Sequence, residues 1–366
     1  MYKLNTVCFI GLGLIGGSMA KSIKQNNKDI TIMAYSRTKS KLEMAQNEGI
    51  IDIILDDIDN SLSVCDLIVL CSPVSYNIDY LKQIKPFLKS NCIVTDVGST
   101  KLGIHKAASA LDMDEYFIGG HPMAGSERTG YENSNTHLLE NSYYIITPSP
   151  KSNNENILFM NNLALSMGAI PLVLEYNEHD RVVAAISHLP HIIASGLVNI
   201  VEQSDSENET MKLVAAGGFK DITRIASASP IMWQQICATN TENIVSILNT
   251  YINYLKLISS QLSAGDFNAI HSFFENSKNY RDSIDNSSLG PIKKEYSIYM
   301  DIADKSGSIS TVAVILAAKE ISIKNIGIIH NREFEEGVLK IIFYDNEAFE
   351  HAVKVLEGHN YSLYKR

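Results

Sequence analysis

Thr6-Val-Cys-Phe-Ile10, followed at once by Gly11-Leu-Gly13-Leu-Ile-Gly16-Gly17-Ser18, is the stretch that decides the fold. The first five residues read as a strand and Ile15–Gln25 as an amphipathic helix. Between them lies G-x-G-x-x-G in the context its mechanism needs, strand before and helix after. Gly11 permits the tight turn, Gly13 lets backbone approach a pyrophosphate, and Gly16 lets helix and strand pack closely. Free N–H groups and the dipole at the helix start then hold phosphate charge. The reading is a dinucleotide site. The alternatives are a glycine turn without a ligand, or one holding a flavin.

Outward from this turn, short apolar runs alternate with helical patterns. Strands are expected at Ile30–Ala34, Leu67–Leu70, Cys92–Asp96, Phe117–Gly119, Tyr143–Thr147 and Ile170–Leu174, with helices such as Lys39–Asn47 and Ser99–Leu111 between. That alternation predicts an α/β fold, a Rossmann-type doubly wound parallel sheet over residues 1–175. Cofactor contacts are expected from Gly11, Gly13, Leu14, Ile15 and Gly16, from Ser72 past the Leu67–Leu70 strand, and from Ser36 and Arg37. An NAD site usually has an acid about 20 residues past the glycines, where it bonds the ribose hydroxyls. Ser36 stands there instead. Arg37 then faces the 2′-phosphate of NADP, stacks on adenine, or points to solvent. NAD is the expected cofactor and NADP the alternative.

From residue 176 the rhythm changes to long helical patterns, Arg181–Glu202, Glu209–Ala216 and Ile231–Leu262. An all-α substrate and dimerisation domain is expected over 176–283, because long apolar helix faces need a partner. Residues 284–295, with Ser-Ser-Leu-Gly-Pro, read as a linker. Over 296–366 the order is strand Ile298–Ile302, helix Ser308–Lys319, strands Ile323–His330 and Gly337–Tyr344, helix Glu347–Glu357, strand Ser362–Tyr364. This βαββαβ order predicts a ferredoxin-like unit.

The 366 residues exceed one ordinary core, and 45 % hydrophobic with 20 % charged residues is globular composition. A net charge of −10 argues against nucleic acid and means that any anionic ligand must be captured by local groups. No CxxC occurs among the five cysteines, and Cys8, Cys71 and Cys92 sit in or beside strand runs. Reduced thiols and a cytoplasmic location follow. No signal pattern is expected, and no uncharged run is expected to reach membrane-spanning length, so no membrane partner is expected.

Polar residues concentrate in three places. Asp96-Val-Gly-Ser99-Thr-Lys101 ends one strand, and Gly119-Gly-His121-Pro-Met-Ala-Gly-Ser-Glu127 follows another. Both belong where open α/β sheets bind ligands, outside the carboxyl ends of the strands. The helical region adds Ser187-His188-Leu-Pro190-His191 and Gly217-Gly-Phe-Lys220-Asp221-Ile-Thr-Arg224. Bland readings accompany these. His121 suits a backbone-bonded loop and Ser99 a helix N-cap. Arg224 suits a pair with Asp221, Lys101 a structural partner of an acid, His188 a packed core position, and Trp233 a core position. His188 and His191 are three apart on one helix face, but no metal is expected because no further ligand stands near them.

These segments, in this order, resemble the prephenate/arogenate dehydrogenase family over residues 6–280. The resemblance implies a small-molecule substrate that loses a hydride to nicotinamide and a carboxylate as CO2. It implies His121 as proton acceptor, Ser99 bonded to the same hydroxyl, Arg224 as carboxylate clamp, His191 as a second substrate-site histidine, and Glu127 near the entrance. The family also has an aromatic lining the site near Trp233. The tail resembles an ACT regulatory domain, with Asp304-Lys-Ser-Gly307 as its ligand loop and Asn325 and Ile326 as further contacts. Ser306 replaces the usual proline there. The effector expected with such a domain is L-tyrosine. The long apolar helix faces imply a homodimer through the helical domain. A β-hydroxyacid dehydrogenase, or an amino-acid sensor on a relic enzyme, is the rival. The first lacks the His-Pro-x-Ala-Gly-Ser/Thr-Glu run and the tail. Intact Gly11, Ser99, His121 and Arg224 oppose the second.

Overall fold

The computed structural model describes residues 4–125, 128–286, 296–302, 305–329 and 337–365. Two compact units divide the chain, Met1–Ser272 and Phe273–Arg366.

The first unit opens with β1 (Thr6–Ile10), α1 (Leu14–Asn26), β2 (Thr31–Tyr35), α2 (Lys39–Asn47) and β3 (Ile53–Ile54). Then come β4 (Leu67–Leu70), α3 (Val74–Ile84), β5 (Ile93–Asp96) and α4 (Leu102–Ala110). The five strands form a parallel sheet in the order β3-β2-β1-β4-β5. Every residue of β4 and β5 is buried, as in a parallel sheet covered on both faces. Alternate residues feed two cores. Val7, Phe9, Ile32 and Val69 pack with Met19 and Ile23 of α1. Cys8, Ile10, Ile68 and Leu70 pack with Leu81 of α3 and Ile104 of α4. The chain reverses its direction of travel between β1 and β4, which opens a crevice at their carboxyl ends.

β6 (Ile118–Pro122), β7 (Tyr143–Pro148), α5 (Asn154–Ser166) and β8 (Ile170–Val173) follow, with strand order β6-β7-β8. A parallel bridge from Val94 to Phe117 joins them to β5. The expectation of an all-parallel sheet fails at β6 and β7, which pair antiparallel. Between these strands the only helical turn among the described residues is the short 3-10 turn Tyr131–Asn133. Without a crossover helix, the return stroke is antiparallel.

The helical segment comprises α6 (Tyr176–Val183), a π turn at Ala184–His188, α7 (Leu189–Ser204), α8 (Thr210–Val214) and α9 (Gly217–Thr223). A 3-10 turn at Arg224–Ser227 leads to α10 (Pro230–Thr239), α11 (Thr241–Ser263) and α12 (Phe267–Asn286). The first helix begins before the expected Arg181, because the Glu175 carboxylate caps the N–H groups of Asn177 and Glu178 at 2.8 and 3.0 Å. The single helix expected at Ile231–Leu262 is two, broken at Asn240, whose backbone is non-helical. Residues 284–286, read as linker, still belong to α12, and 287–295 lie outside the described residues. The run Tyr176–Ser204 is 29 residues, long and apolar enough by length and composition to cross a membrane. Residues 182–201 carry no Asp, Glu, Lys or Arg, so the expectation that no uncharged run reaches membrane-spanning length fails here. The run holds buried His179, Asp180 and His188, all hydrogen-bonded within the protein.

The second unit contains β9 (Tyr296–Ile302), α13 (Ser308–Ala317), β10 (Ile323–Ile329), β11 (Gly337–Phe343), α14 (Asn346–Gly358) and β12 (Leu363–Lys365). The sheet is antiparallel, ordered β10-β11-β9-β12. Val312 and Leu316 of α13 and Val353 and Leu356 of α14 pack on Ile298, Met300, Leu339 and Ile341. The βαββαβ order is the one the tail's hydrophobic pattern predicts.

Candidate active site

The glycine turn lies at the carboxyl end of β1. Gly11 has φ +89°, and a Cβ there would come within 2.6 Å of Ser72 Oγ. At Gly16 a Cβ would meet Cys71 Sγ at 2.9 Å and Gly11 O at 3.0 Å, so helix and strands touch through hydrogen. At Gly13 a Cβ would meet nothing within 4 Å, so this face of the turn is open. Gly13 is the N-cap of α1 and has no side chain of its own with which to cap that helix. An open face beside a helix start whose N-cap is glycine fits a dinucleotide pyrophosphate. Leu14 and Ile15 form the first turn of α1.

At the end of β2, Ser36 Oγ accepts from Thr38 N–H at 3.4 Å, and the Arg37 guanidinium sits 4.6 Å over the Tyr76 ring. Tyr76 is in the first turn of α3, just past Ser72, whose N–H donates to Asn77 Oδ1 at 3.2 Å. Arg37, Ser72 and the glycines therefore border one crevice.

The next strand end carries a buried ion pair. Lys101 Nζ and Asp96 Oδ2 are 2.5 Å apart and both side chains are fully buried. Lys101 Nζ also donates to Gly120 O at 2.7 Å, and Asp96 Oδ2 accepts from Gly98 N–H at 2.9 Å. The pair ties the end of β5 to β6, which places the next residue, His121. This is the structural role that the sequence offered Lys101.

His121 Nδ1 is 2.8 Å from His179 Nε2, and His179 Nδ1 is 2.7 Å from Asp180 Oδ1. Asp180 also accepts the N–H groups of Lys101 and Leu102 at 2.7 and 2.9 Å. Asp180 thus caps α4, the role offered to Ser99. Ser99 precedes the N-cap Lys101 by two residues and is half-buried at the carboxyl edge of the sheet. Burial, then the nearby His179, Lys101 and His188, hold the His121 pKa well below the ordinary imidazole range.

From the helical side, the π turn carries His188, with Nδ1 3.3 Å from Asn240 Nδ2. Asn240 Nδ2 also donates to Asp180 O at 2.8 Å. Burial pushes the His188 pKa down to about 4. Trp233 lies edge-on to His188 at 5.9 Å and stacks on His191 at 3.8 Å. His191 Nδ1 donates to Ser187 O at 2.9 Å. Its pKa is lowered by burial and by the charge of Arg224, which the 3-10 turn brings to its side. Trp233 Nε1–H is buried without an acceptor among the described residues.

Hydrogen bonds thus link His121 through His179, Asp180 and Asn240 to His188, ring contacts carry the series on to Trp233 and His191, and the charge of Arg224 acts on His191. Gly307, at φ +93°, precedes α13, and Asn325 and Ile326 lie on β10 beside a register shift. These belong to the second unit. Glu127 and Asp304 lie outside the described residues.

His179, Asp180 and Asn240 were missed from sequence. The signal was a His-Asp pair entering a long apolar helix, where polar side chains facing inward demand partners.

A parallel sheet with an open glycine crevice and a histidine at the neighbouring strand end defines a nucleotide-binding dehydrogenase. The family model for the prephenate dehydrogenase nucleotide-binding domain matches residues 19–172, and that for its dimerization domain matches 175–276. Prephenate dehydrogenase of Bacillus subtilis is 34 % identical over 356 residues, 97 % of this chain and 96 % of the relative. Among solved structures, prephenate dehydrogenase from A. aeolicus, in complex with hydroxyphenyl propionate and NAD+, has a TM-score of 0.73 at 28 % identity. That match covers 77 % of this chain and 99 % of the other. Synechocystis arogenate dehydrogenase has a TM-score of 0.69 at 26 % identity, over 76 % and 99 %. The chain belongs to the prephenate dehydrogenase family.

Proposed function

We propose that this chain oxidatively decarboxylates prephenate to 4-hydroxyphenylpyruvate, in L-tyrosine biosynthesis, with an NAD-type cofactor. The observation that carries the reading is the continuous series from His121 to Arg224. In this reading a proton acceptor and a guanidinium meet one small molecule, which the ring contacts and the charge of Arg224 at His191 support. The names of the relatives support the substrate.

Gly11, Gly13, Leu14, Ile15, Gly16, Ser36, Arg37 and Ser72 would hold the cofactor, which when bound supplies the hydride acceptor. His121 takes the proton of the ring hydroxyl as hydride leaves the same carbon. The ring carboxylate then departs as CO2, its bonding pair aromatises the ring, and the proton returns to the phenolate oxygen. Ser99 orients that hydroxyl. Arg224 clamps a carboxylate by its planar fork, beside His191. A depressed pKa keeps His121 unprotonated, as a base must be.

The domains in this reading are 1–175 for the cofactor, 176–283 for substrate and homodimerisation, and 296–366, after a linker, for regulation of the ACT type. Asp304, Gly307, Asn325 and Ile326 would form the effector site for L-tyrosine. The chain would work in the cytoplasm.

The test is steady-state kinetics with prephenate and arogenate, each with NAD and NADP, followed by nicotinamide absorbance. Turnover of prephenate with NAD is expected, slowed by tyrosine. Folded protein that turns over neither substrate with either cofactor contradicts the reading.

A further inference from the structure

We infer that His179 is a positioning residue that selects which ring nitrogen of His121 is free to take a proton, with Asp180 as its anchor. This rests on the reading of His121 as the base.

The argument runs outward from Asp180. Its Oδ1 accepts the N–H of Lys101 and its Oδ2 that of Leu102, at 2.7 and 2.9 Å. The carboxylate is therefore locked at the positive end of α4. A carboxylate only accepts, so the His179 nitrogen 2.7 Å away, Nδ1, carries hydrogen. In neutral His179 the lone pair then falls on Nε2. That nitrogen is 2.8 Å from His121 Nδ1, so His121 carries its hydrogen on Nδ1 and presents a bare Nε2. Of two tautomers that are similar in a free imidazole, the chain of donors leaves one.

Once His121 Nε2 has taken a proton, the Nδ1–H···Nε2 bond to His179 persists and is strengthened by charge. His179 has no need to take the proton. It is fully buried, and burial lowers its own affinity for one. Asp180 and His179 begin the helical segment, whereas Lys101 and His121 belong to the sheet segment. The selection therefore exists only where the two segments meet.

The test combines nitrogen NMR of histidine-labelled full-length protein with kinetics of His179→Gln and His179→Leu. Gln places an acceptor oxygen where Nε2 stood but takes no proton near neutral pH. Leu fills the volume and offers no acceptor. The NMR spectrum should show His121 protonated on Nδ1 and bare at Nε2. His179→Gln should keep a kcat close to the parent's. His179→Leu should lose about 10²-fold or more, within the range a positioned base supplies, at unchanged KM and unchanged cofactor affinity. A hydrogen on His121 Nε2, or parental kcat in His179→Leu, overturns the inference. His179→Gln as slow as His179→Leu at unchanged KM also overturns it, by making His179 a carrier of the proton. If His121→Asn keeps its activity, the base reading falls while the NMR result still decides the tautomer.

Discussion

Two halves of the first unit solve the burial problem differently. Around the parallel sheet, apolar side chains from β1, β2, β4 and β5 fill two dense cores, one on each face. In the helical segment the buried apolar residues are few: Val183, Ala184, Leu189, Ala194, Ile236 and Ile244. Large apolar side chains there stand in the open, among them Leu213 on α8, Ile231 on α10 and Leu255 and Leu257 on α11. The sheet half supplies its own solvent-free interior. The helical half presents faces that a second copy would cover. The residues proposed for the site differ accordingly: His121 is held on a strand and hydrogen-bonded, whereas Arg224 sits exposed on a 3-10 turn.

The comparison is sharpened first at the sheet half. His121→Asn should lower kcat by about 10²–10⁴, the contribution of a positioned general base, and leave KM nearly unchanged. An unchanged kcat removes His121 from the chemistry. In the helical half, Arg224→Ala should act on binding, raising KM by roughly tenfold or about 1.4 kcal/mol, with a small change in kcat. A fall in kcat at constant KM would place Arg224 in the transition state instead. Leu255→Glu on α11 should convert a dimer to monomer in sedimentation, while cofactor binding by the sheet half persists. A dimer of unchanged strength would move the interface elsewhere.

The smallest effect is shared by both halves. His105 in the sheet half and His188 in the helical half have pKa values pushed down by burial to about 3 and about 4. An unfolded imidazole takes a proton below about 6.5, so the folded state binds fewer protons under acid. Their contribution is complete above that pH and is lost as pH falls toward the folded values. The urea midpoint at about pH 5 should lie below that at about pH 7.5. Equal midpoints would contradict the burial of these rings.

The sheet half was largely legible in sequence, because period-two and apolar runs such as Leu67–Leu70 specify buried strands locally. What escaped there was the antiparallel β6–β7 step, since strand direction depends on the path between the strands rather than on the strands. In the helical half, Ile231–Leu262 kept its helical pattern across Asn240. The break comes from side-chain bonds to Asp180 O and His188, partners distant in sequence. The same distance hid the capping of α4. Ser99 is the local cap by residue type, and Asp180 takes the role from 78 residues downstream of Leu102. His121 and Arg224 are proposed for the site through a family resemblance. His179 was not, because its meaning lies in a contact across 58 residues.

The most direct test is a crystal structure of this chain with reduced cofactor and 4-hydroxyphenylpyruvate bound. The account requires the ring hydroxyl at His121 Nε2 and the side-chain carboxylate at Arg224 of the same bound molecule. A product molecule that touches one of these groups while the other opens onto a different surface would contradict it.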